Sequence, residues 1–273
     1  MRITIFLIVF FFCLALNPLK IGAEELLESN EPITIDSDQM EWNREEKTYT
    51  ASGNAIARQG KVKIEGDQIT AFYSETEKKK NKIDTINIIG NVKVINEGYT
   101  AFGDRGTYKV KEGFLTLKGK NLKLESGEDK LTAKDSLDYY KEKNVFVARG
   151  DAVAIREGNI IKSDVLTAYL SKTSEDGNNK IEKVFASNNV IIKTPKETAT
   201  GDKGSYETKT GIVNIYGSVV ITRGTDKVYG EYGQVNLNTG ISKILGSPKK
   251  SKKGKKQVRA IFTFDDDKKD KKN

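Results

Sequence analysis

The chain contains a long internal repeat, and this feature restricts its possible folds more than any other. Six residues between Ala101 and Gly113 recur 98 positions later, and six between Asp38 and Ala71 recur 97 positions later. The repeated positions are Ala199, Gly201, Asp202, Gly204, Tyr206 and Gly211 for the first set, and Asp135, Ala148, Gly150, Ala154, Asp164 and Ala168 for the second. A duplication kept in register predicts one architectural unit built twice, with a binding surface that continues along the stack.

A shorter period lies inside the long one, because glycines close runs of strand-forming residues at intervals of 29 to 38 positions. These glycines are Gly53, Gly90, Gly119, Gly150, Gly217 and Gly246. Asn188 stands where the series requires one more glycine, and asparagine is predicted there to adopt the same positive φ. After most of these positions apolar residues alternate, as at Val92 and Val94, which predicts side chains sharing one face of a strand.

The composition is typical of an all-β chain. From Ile33 onward the apolar residues show no helical spacing, whereas Val, Ile, Thr and Tyr are frequent between turn-forming Gly, Asn and Asp residues. The hydrophobic content of 37% is low for 273 residues. These properties favour a thin, elongated sheet with one apolar lining over a thick globular core.

Residues 1–23 differ from the rest of the chain and are predicted to be a signal peptide. Arg2 precedes an apolar run from Ile3 to Leu16, which is shorter than the about 20 residues of a spanning helix. A retained membrane anchor stays the alternative. Cys13, the single cysteine, lies inside this run. We therefore expect an exported protein without disulfides, stabilised by sheet pairing and burial.

The net charge of +8 comes mainly from the C-terminus. Residues 24–246 contain 33 basic and 34 acidic residues, whereas residues 247–273 contain eleven basic and four acidic ones. The body therefore has no basic stripe that could follow a phosphate backbone, so we expect no nucleic acid partner. The six lysines between Lys249 and Lys256 are compatible both with attraction of phosphorylated lipid or an acidic edge and with protection of a strand edge.

No catalytic constellation is visible in the sequence. Histidine is absent, so the commonest general base and transition-metal ligand are missing, and no thiol remains after processing. The motif Gly103–Gly106 and its copy Gly201–Gly204 permit a calcium or phosphate loop, but a tight turn with an Asp bonding its own backbone is favoured, as it is at Asp67 and Asp164. The sequence therefore predicts a protein that is not an enzyme, with no metal and no cofactor.

The repeat divides the chain into four predicted segments. They are a signal peptide at 1–23, a first repeat unit at 24–126, a continuous second unit at 127–246, and a basic tail at 247–273 with a last strand at about 257–264. The charged inserts 75–82 and 172–180 are predicted to be solvated loops. Trp42 matches Tyr139, and aromatic residues at equivalent inward positions favour packing over ligand contact.

Several runs together resemble the OstA-like repeat family. They are Ile35 to Trp42, Tyr49 to Ala55, Ile64 to Tyr73, Ala101 to Tyr108, Gly230 to Gly240 and Val258 to Phe262. The resemblance covers nearly all of residues 31–264, and the order and spacing of the runs agree with it. It implies an open, slightly twisted β-jellyroll built from duplicated OstA-like repeats, with an apolar interior.

The resemblance also implies a function. Family members are expected in the periplasm, where they carry lipopolysaccharide with its acyl chains inside the jellyroll, and bridge the inner and outer membranes during outer-membrane assembly. The implied partners are lipopolysaccharide, an inner-membrane LptC-like jellyroll, an outer-membrane LptD-like translocon, and further copies in a head-to-tail homo-oligomer. The strand edges expected to join are represented by Ile33, Ile35, Val258, Ala260 and Phe262.

Alternating apolar residues supply the candidates for the lipid-binding face. They are Ile33, Ile35, Met40, Ile64, Ile69, Ile86, Ile88, Val92, Val94, Leu115, Leu117, Phe146, Ile161, Leu166, Val190, Ile192, Val213 and Ile215. Alternation identifies a face but not what the face touches, so lipid lining and closed core stay equally open for each residue. For Ile88→Asp we expect less lipid crosslinking with the β signal in circular dichroism retained.

Alternative functions follow from the same features. The long mature chain and its plain duplication leave open an LptC-like membrane-anchored component, or a separated LptD-like periplasmic domain. From a different class, a structural or adhesive exported β-repeat protein with a solid core also fits the alternation. An exported hydrolase is the third choice, because histidine and thiol groups are missing.

Overall fold

The computed structural model describes residues 33–75, 81–96, 98–156, 158–171, 181–195, 197–236, 238–239, 241–246 and 257–262. Within these ranges the chain forms strands and no helix, so the all-β prediction is confirmed. No helix that could cross a bilayer occurs in the described part of the chain. The predicted signal peptide, the insert 172–180, most of the insert 75–82 and the tail lysines lie outside the described residues.

The described residues form eighteen strands. They are β1 (Thr34–Asp36), β2 (Gln39–Asn43), β3 (Thr48–Gln59), β4 (Val62–Glu75), β5 (Asn81–Asn96), β6 (Tyr99–Lys109), β7 (Phe114–Lys118), β8 (Leu122–Ser126), β9 (Asp129–Ala133), β10 (Ser136–Tyr140), β11 (Val145–Arg156), β12 (Asn159–Leu170), β13 (Ile181–Lys193), β14 (Thr198–Glu207), β15 (Ile212–Arg223), β16 (Asp226–Asn236), β17 (Ile241–Leu245) and β18 (Arg259–Ile261). The last strand is shorter than the predicted 257–264, and residues 263–264 lie beyond the described ranges.

The strands form an antiparallel meander in which four pairs of short strands each act as one interrupted long strand. Both β1 and β2 pair with β3, both β7 and β8 with β6, both β9 and β10 with β11, and both β17 and β18 with β16. At the centre of the chain β7 pairs with β10 and β8 with β9. The sheet is therefore continuous through the repeat boundary, and the duplication makes one jellyroll and not two.

Five long strands carry a bulge near the middle, and four of these bulges hold a glycine that was predicted to close a strand. In β3, β5, β11, β13 and β15 the register shifts by one residue at a bulge. Each bulge holds two successive residues of positive φ, such as Gly90 (76°) with Asn91 (48°). Asn188 has a φ of 62° and occupies the same place in β13, which confirms the prediction for that residue. A bulge bends its strand and increases the local twist, so the sheet folds over along this line.

The bend line divides the sheet into two facing arms. Arm A contains β2, β7, β10 and β17 with the adjoining half of each long strand, and arm B contains β1, β8, β9 and β18 with the other halves. Buried side chains of both arms form one hydrophobic cluster. The predicted open β-jellyroll is thus a single sheet folded over on its apolar face.

The aspartates that were predicted to form tight turns lie inside strands, so that prediction was wrong. Asp104 is in the middle of β6, Asp202 of β14, Asp67 of β4 and Asp164 of β12. The carboxylates of Asp67, Asp164 and Asp202 instead lie beside the bulge of the next strand, and that of Asp104 lies beside the break between β7 and β8. The Asp104 carboxylate accepts a hydrogen bond from the Lys120 amide at 2.8 Å. These aspartates therefore stabilise the bend line, where positive-φ backbone leaves amide groups outside the ladder.

Candidate functional site

Two outer rows of inward-facing side chains run along the sheet, from β2 to β16 in arm A and from β1 to β18 in arm B. In arm A the paired positions are Trp42, Tyr49, Ala71, Ile86, Tyr108, Leu115, Tyr139, Phe146, Ala168, Val184, Tyr206, Val213 and Val235. In arm B they are Ile35, Ala57, Ile64, Val94, Ala101, Leu124, Leu131, Ala154, Ile161, Ile192, Ala199, Ile221, Val228 and Ala260. Every position is aliphatic or aromatic, so the rows form two apolar walls.

The inward-facing side chains in the rows nearest the bend line are closely packed and leave no space for a ligand. Large side chains there face glycine or alanine on the neighbouring strand; a Cβ atom on Gly106 would lie 3.1 Å from both Ile88 Cδ1 and Leu117 Cδ2. Ile88 itself is only 1% exposed. The Ile88→Asp expectation therefore fails as a probe of lipid contact, because an unpaired carboxylate at this position would destabilise the fold itself.

Between the two walls lies an apolar cavity of about 250 Å³. Both repeats line it, with residues from Val94 to Leu124 in the first and from Leu131 to Val213 in the second. Arm A contributes Leu115, Leu117, Leu137, Tyr139, Phe146, Leu166, Ala168, Leu170, Ile181, Val184, Ala186, Tyr206 and Val213, and arm B contributes Val94, Tyr99, Ala101, Leu124, Leu131, Ala154, Ile161 and Ile192. A space of this kind, walled by aliphatic and aromatic groups, fits a hydrocarbon chain.

The predicted lining residues occupy the inner face at different depths. Eight line the cavity: Val94, Leu115, Leu117, Phe146, Ile161, Leu166, Ile192 and Val213. Ile69, Ile88, Val92, Val190 and Ile215 are buried near the bend, whereas Ile64 and Ile86 pack partly buried against that cluster. Ile35 lies on edge strand β1 and Met40 on edge strand β2, and Ile33 immediately precedes β1. Contact of any of them with a lipid stays a prediction.

The sequence prediction missed several residues that line the cavity. Leu137 and Tyr139 are the clearest, since a shift of 97 places them at the positions of Met40 and Trp42. Leu124 and Leu131 continue the alternation of β8 and β9. The duplication and the two-residue period could have found these four residues. Leu170 and Ile181 lie beside the undescribed insert, and no pattern in the sequence singles them out.

The rim of the cavity carries polar groups that the walls lack. On arm A, the Tyr139 hydroxyl donates to Asn144 Oδ1 at 3.1 Å, and Asn144 Nδ2 donates to the Ser171 carbonyl at 2.6 Å. On arm B, Asn96 Nδ2 donates to the Tyr99 hydroxyl at 3.3 Å. An amphiphile with its chains between the walls would meet these hydrogen-bonding groups at the rims. Within the described ranges, no three histidine, cysteine or acidic side chains gather as a metal ion would require.

Burial at this rim predicts an alkaline loss of stability. Burial raises the pKa of Tyr99 to about 12, although the Asn96 hydrogen bond opposes the shift. Because the folded state holds the phenol proton more tightly than an unfolded tyrosine with a pKa near 10, the full free energy of unfolding is present below pH 10 and falls as the pH rises through 12. We expect a loss of about 2 kcal/mol from this group. Urea unfolding at pH 9 and 11.5 measures it; Tyr99→Phe should lose less stability over that interval, and an equal loss in both proteins contradicts the assignment.

The N-terminal edge of the sheet leaves two large inner-face residues uncovered. Met40 and Trp42 on β2 are 51% and 50% exposed, whereas their repeat counterparts Leu137 and Tyr139 on β10 are 3% and 7% exposed. The difference arises because β10 pairs on both sides, with β7 and β11, whereas the described pairing of β2 is with β3 alone. The expectation that Trp42 belongs to the closed core was therefore wrong for the isolated chain.

A comparison of the sequence with protein-family models identifies the family. The model of the family described as LptA/(LptD N-terminal domain) LPS transport protein matches residues 34–135 and again residues 134–241. The two matches together cover well over half of the chain. This chain belongs to that LPS transport family. The predicted OstA-like membership is thereby confirmed, and the two matches meet where β9 and β10 cross from one repeat to the next.

Other comparisons add little to the family assignment. Among solved structures, the chain is similar to LptH of Pseudomonas aeruginosa, described as the LptA-homologous periplasmic component of the lipopolysaccharide transport device. The identity is 11%, the TM-score is 0.21, and the alignment covers 85% of this chain and 96% of that one. The search of curated proteins finds no match.

Proposed function

We propose that this protein is a non-enzymatic periplasmic carrier that binds lipopolysaccharide by its acyl chains and bridges the inner and outer membranes. The observation that carries the proposal is the apolar cavity between two continuous apolar walls, in a chain of an LPS transport family. Each buried methylene contributes about 0.8 kcal/mol, so transfer of an acyl chain from water into this space is strongly favourable. Burial in such a groove does not determine the direction in which the lipid moves. An external energy source must therefore drive net transport.

Head-to-tail assembly is supported by the two edges of the sheet. In the second repeat, β10 is equivalent to β2, and β7 pairs with it antiparallel. A strand that pairs with the free edge of β2 should therefore have the same direction as β7. The strand β17 runs in that direction, because successive antiparallel pairings connect it to β7 through the strands between them. A copy presenting β17 and β18 could therefore extend the sheet of the next copy antiparallel at β2 and β1.

The same edges define the proposed partners. Val258 and Phe262 flank β18, Ala260 lies within it, and Ile261 and Phe262 are exposed. A jellyroll of the LptC-like type at the inner membrane would offer its last strand to β1 and β2. An LptD-like translocon at the outer membrane would receive β17 and β18. Both joints would cover apolar side chains that the isolated chain leaves in water.

Trp42 should be the strongest contact of the N-terminal joint. Its ring stacks on Tyr49 at 5.6 Å, its Nε1 donates to the Tyr73 hydroxyl at 3.0 Å, and the Arg44 guanidinium lies 4.5 Å from its centre. The side chain is thus held in place before a partner arrives, as is typical of binding hot spots. Covering about 100 Å² of apolar surface contributes about 2.5 kcal/mol.

We therefore expect Trp42→Ala to weaken self-association by about thirtyfold or more. Sedimentation equilibrium across a concentration series measures the association constant. Tyr140→Ala is the matched control, since it removes an aromatic ring that the repeat boundary already covers with Phe114 at 4.8 Å. Equal association of the Trp42→Ala variant and the unaltered protein would contradict the edge-to-edge joint.

The carrier function is tested by equilibrium binding of purified lipopolysaccharide to the purified protein. Saturable binding with folded protein is the expected result, because acyl chains can enter between the walls. A folded protein that takes up no lipopolysaccharide would instead favour an exported structural or adhesive β-repeat protein. The distinction from a membrane-anchored component depends on residues 1–23, and N-terminal sequencing of the exported protein decides it.

A further inference from the structure

The charged residues of the cavity lie together at one rim. Among the described residues that line it, three are charged: Asp129, Lys130 and Arg156. They belong to β9 and to the end of β11, on arm B, two positions or fewer beyond the apolar wall residues Leu131 and Ala154. The walls are apolar, so this rim is the place where a bound amphiphile would meet full charges.

Arg156 is built into this rim and does not extend into solvent. Its side chain is 14% exposed, and Nε lies 3.6 Å from Oδ2 of Asp129, which is 25% exposed. This distance between Nε and Oδ2 is longer than the about 2.7–2.9 Å of a charge-assisted hydrogen bond. A guanidinium presents its donors in a planar fork that matches one oxyanion, so Asp129 and an anionic head group would compete for it.

The charge pair is a property of the second repeat. A shift of 97 places Gln59 at the position of Arg156 and Pro32 at the position of Asp129. The cavity beside this pair is lined by residues of both repeats. The second repeat therefore supplies a charged pair at the cavity rim that the first repeat lacks at its equivalent positions.

We propose that Arg156 selects the anionic head group, a phosphate or a carboxylate, of the amphiphile whose chains occupy the cavity. Asp129 competes with that head group for the guanidinium and keeps the cation neutralised when the cavity is empty. The alkyl part of Arg156 packs at the end of the apolar wall while its charged end reaches the rim. This inference rests on the proposed function, because it needs an amphiphile between the arms.

Isothermal titration with two single-chain probes separates the head group from the chain. Dodecyl phosphate and dodecyl maltoside share the same hydrocarbon, and each is titrated below the concentration at which it forms micelles. We expect the unaltered protein to bind the phosphate more tightly. Arg156→Gln, which introduces the residue found at position 59, should weaken phosphate binding by about tenfold and leave maltoside binding unchanged.

Asp129→Asn should have the opposite effect, because it removes the competing carboxylate and so tightens phosphate binding. A pair of opposite shifts cannot come from loss of folding. Arg58→Gln is the matched control, since Arg58 pairs with Asp36 on the exposed side of arm B. It should bind both probes as the unaltered protein does.

Two failures are distinguishable. If the unaltered protein binds both probes equally, or if neither variant changes the ratio of the two affinities, the assignment of Arg156 is overturned and the apolar groove stands. If the unaltered protein binds neither probe and takes up no lipopolysaccharide, the proposed carrier function fails, and the head-group assignment fails with it.

Discussion

A Val184→Asp variant should fold and remain empty of lipid. Val184 lies on the apolar wall of arm A, lines the cavity and is only half-buried, so an aspartate there is hydrated when the groove is empty. An acyl chain would have to displace that water and leave a carboxylate unpaired against hydrocarbon, which costs several kcal/mol. We expect lipopolysaccharide binding to fall by at least about tenfold, with the circular dichroism spectrum and the urea midpoint nearly unchanged.

The neighbouring residue supplies the control. Phe185 follows in the same strand but points to the outer face, where it is 41% exposed and contacts the ring of Tyr169 edge-on at 5.6 Å. Phe185→Asp should therefore bind lipopolysaccharide normally. Equal loss of binding in both variants would show that charge on either face disturbs the sheet, and normal binding by folded Val184→Asp would place the acyl chains elsewhere.

The second large effect concerns the bend line, where Gly90→Ala should destabilise the protein by about 3–5 kcal/mol. Gly90 has a φ of 76°, and a Cβ atom there would lie 1.9 Å from Oδ2 of Asp67. The carboxylate cannot move freely, because Asn91 Nδ2 donates to both of its oxygens at 3.0 and 3.1 Å. Left-handed backbone strain and a steric clash therefore combine, and the thermal midpoint should fall by about 10 °C.

Gly127→Ala separates these two contributions. Gly127 has a φ of 58°, but a Cβ atom there would meet nothing within 4 Å. That variant should lose only the about 1 kcal/mol that a left-handed alanine costs. If Gly90→Ala is no less stable than Gly127→Ala, then the packing of Asp67 against the bulge does not determine the bend.

The repeat and the two-residue alternation were enough to predict the fold class and the inner face. Val92, Val94, Val190 and Ile192 were identified from alternation alone, and all four point into the space between the arms. Asn188 was predicted to replace a glycine, and its φ of 62° agrees. These predictions succeeded because strand pleating fixes the direction of a side chain from its parity.

Other features depend on contacts between distant parts of the chain, and the sequence pattern does not report those contacts. Asp104 and Gly106 satisfy the composition of a turn, yet they lie in a strand, and the Asp104 carboxylate bonds the Lys120 amide in the break between β7 and β8. Alternation could not separate Ile88, which is buried near the bend, from Leu115, which lines the cavity. That difference depends on the separation of the arms at each depth.

The edge position of Trp42 was equally invisible to local patterns. Its sequence match to Tyr139 correctly indicated an equivalent inward position. Whether an inward residue is covered depends on the neighbouring strands. The strand β10 pairs with two neighbours, whereas the described pairing of β2 is with β3 alone. The sequence therefore predicted that Trp42 and Tyr139 point inward, and the tertiary structure determined that Trp42 is exposed and Tyr139 is buried.

The most direct test of the account is photocrosslinking in living cells at two adjacent residues of β12. A photoreactive amino acid at Ile161 would face the cavity, and one at Lys162 would face solvent on the other side of the same strand. We expect a lipopolysaccharide adduct at position 161 and none at position 162. Adducts of equal yield at both positions, or none at position 161 in folded protein, would contradict transport between the arms.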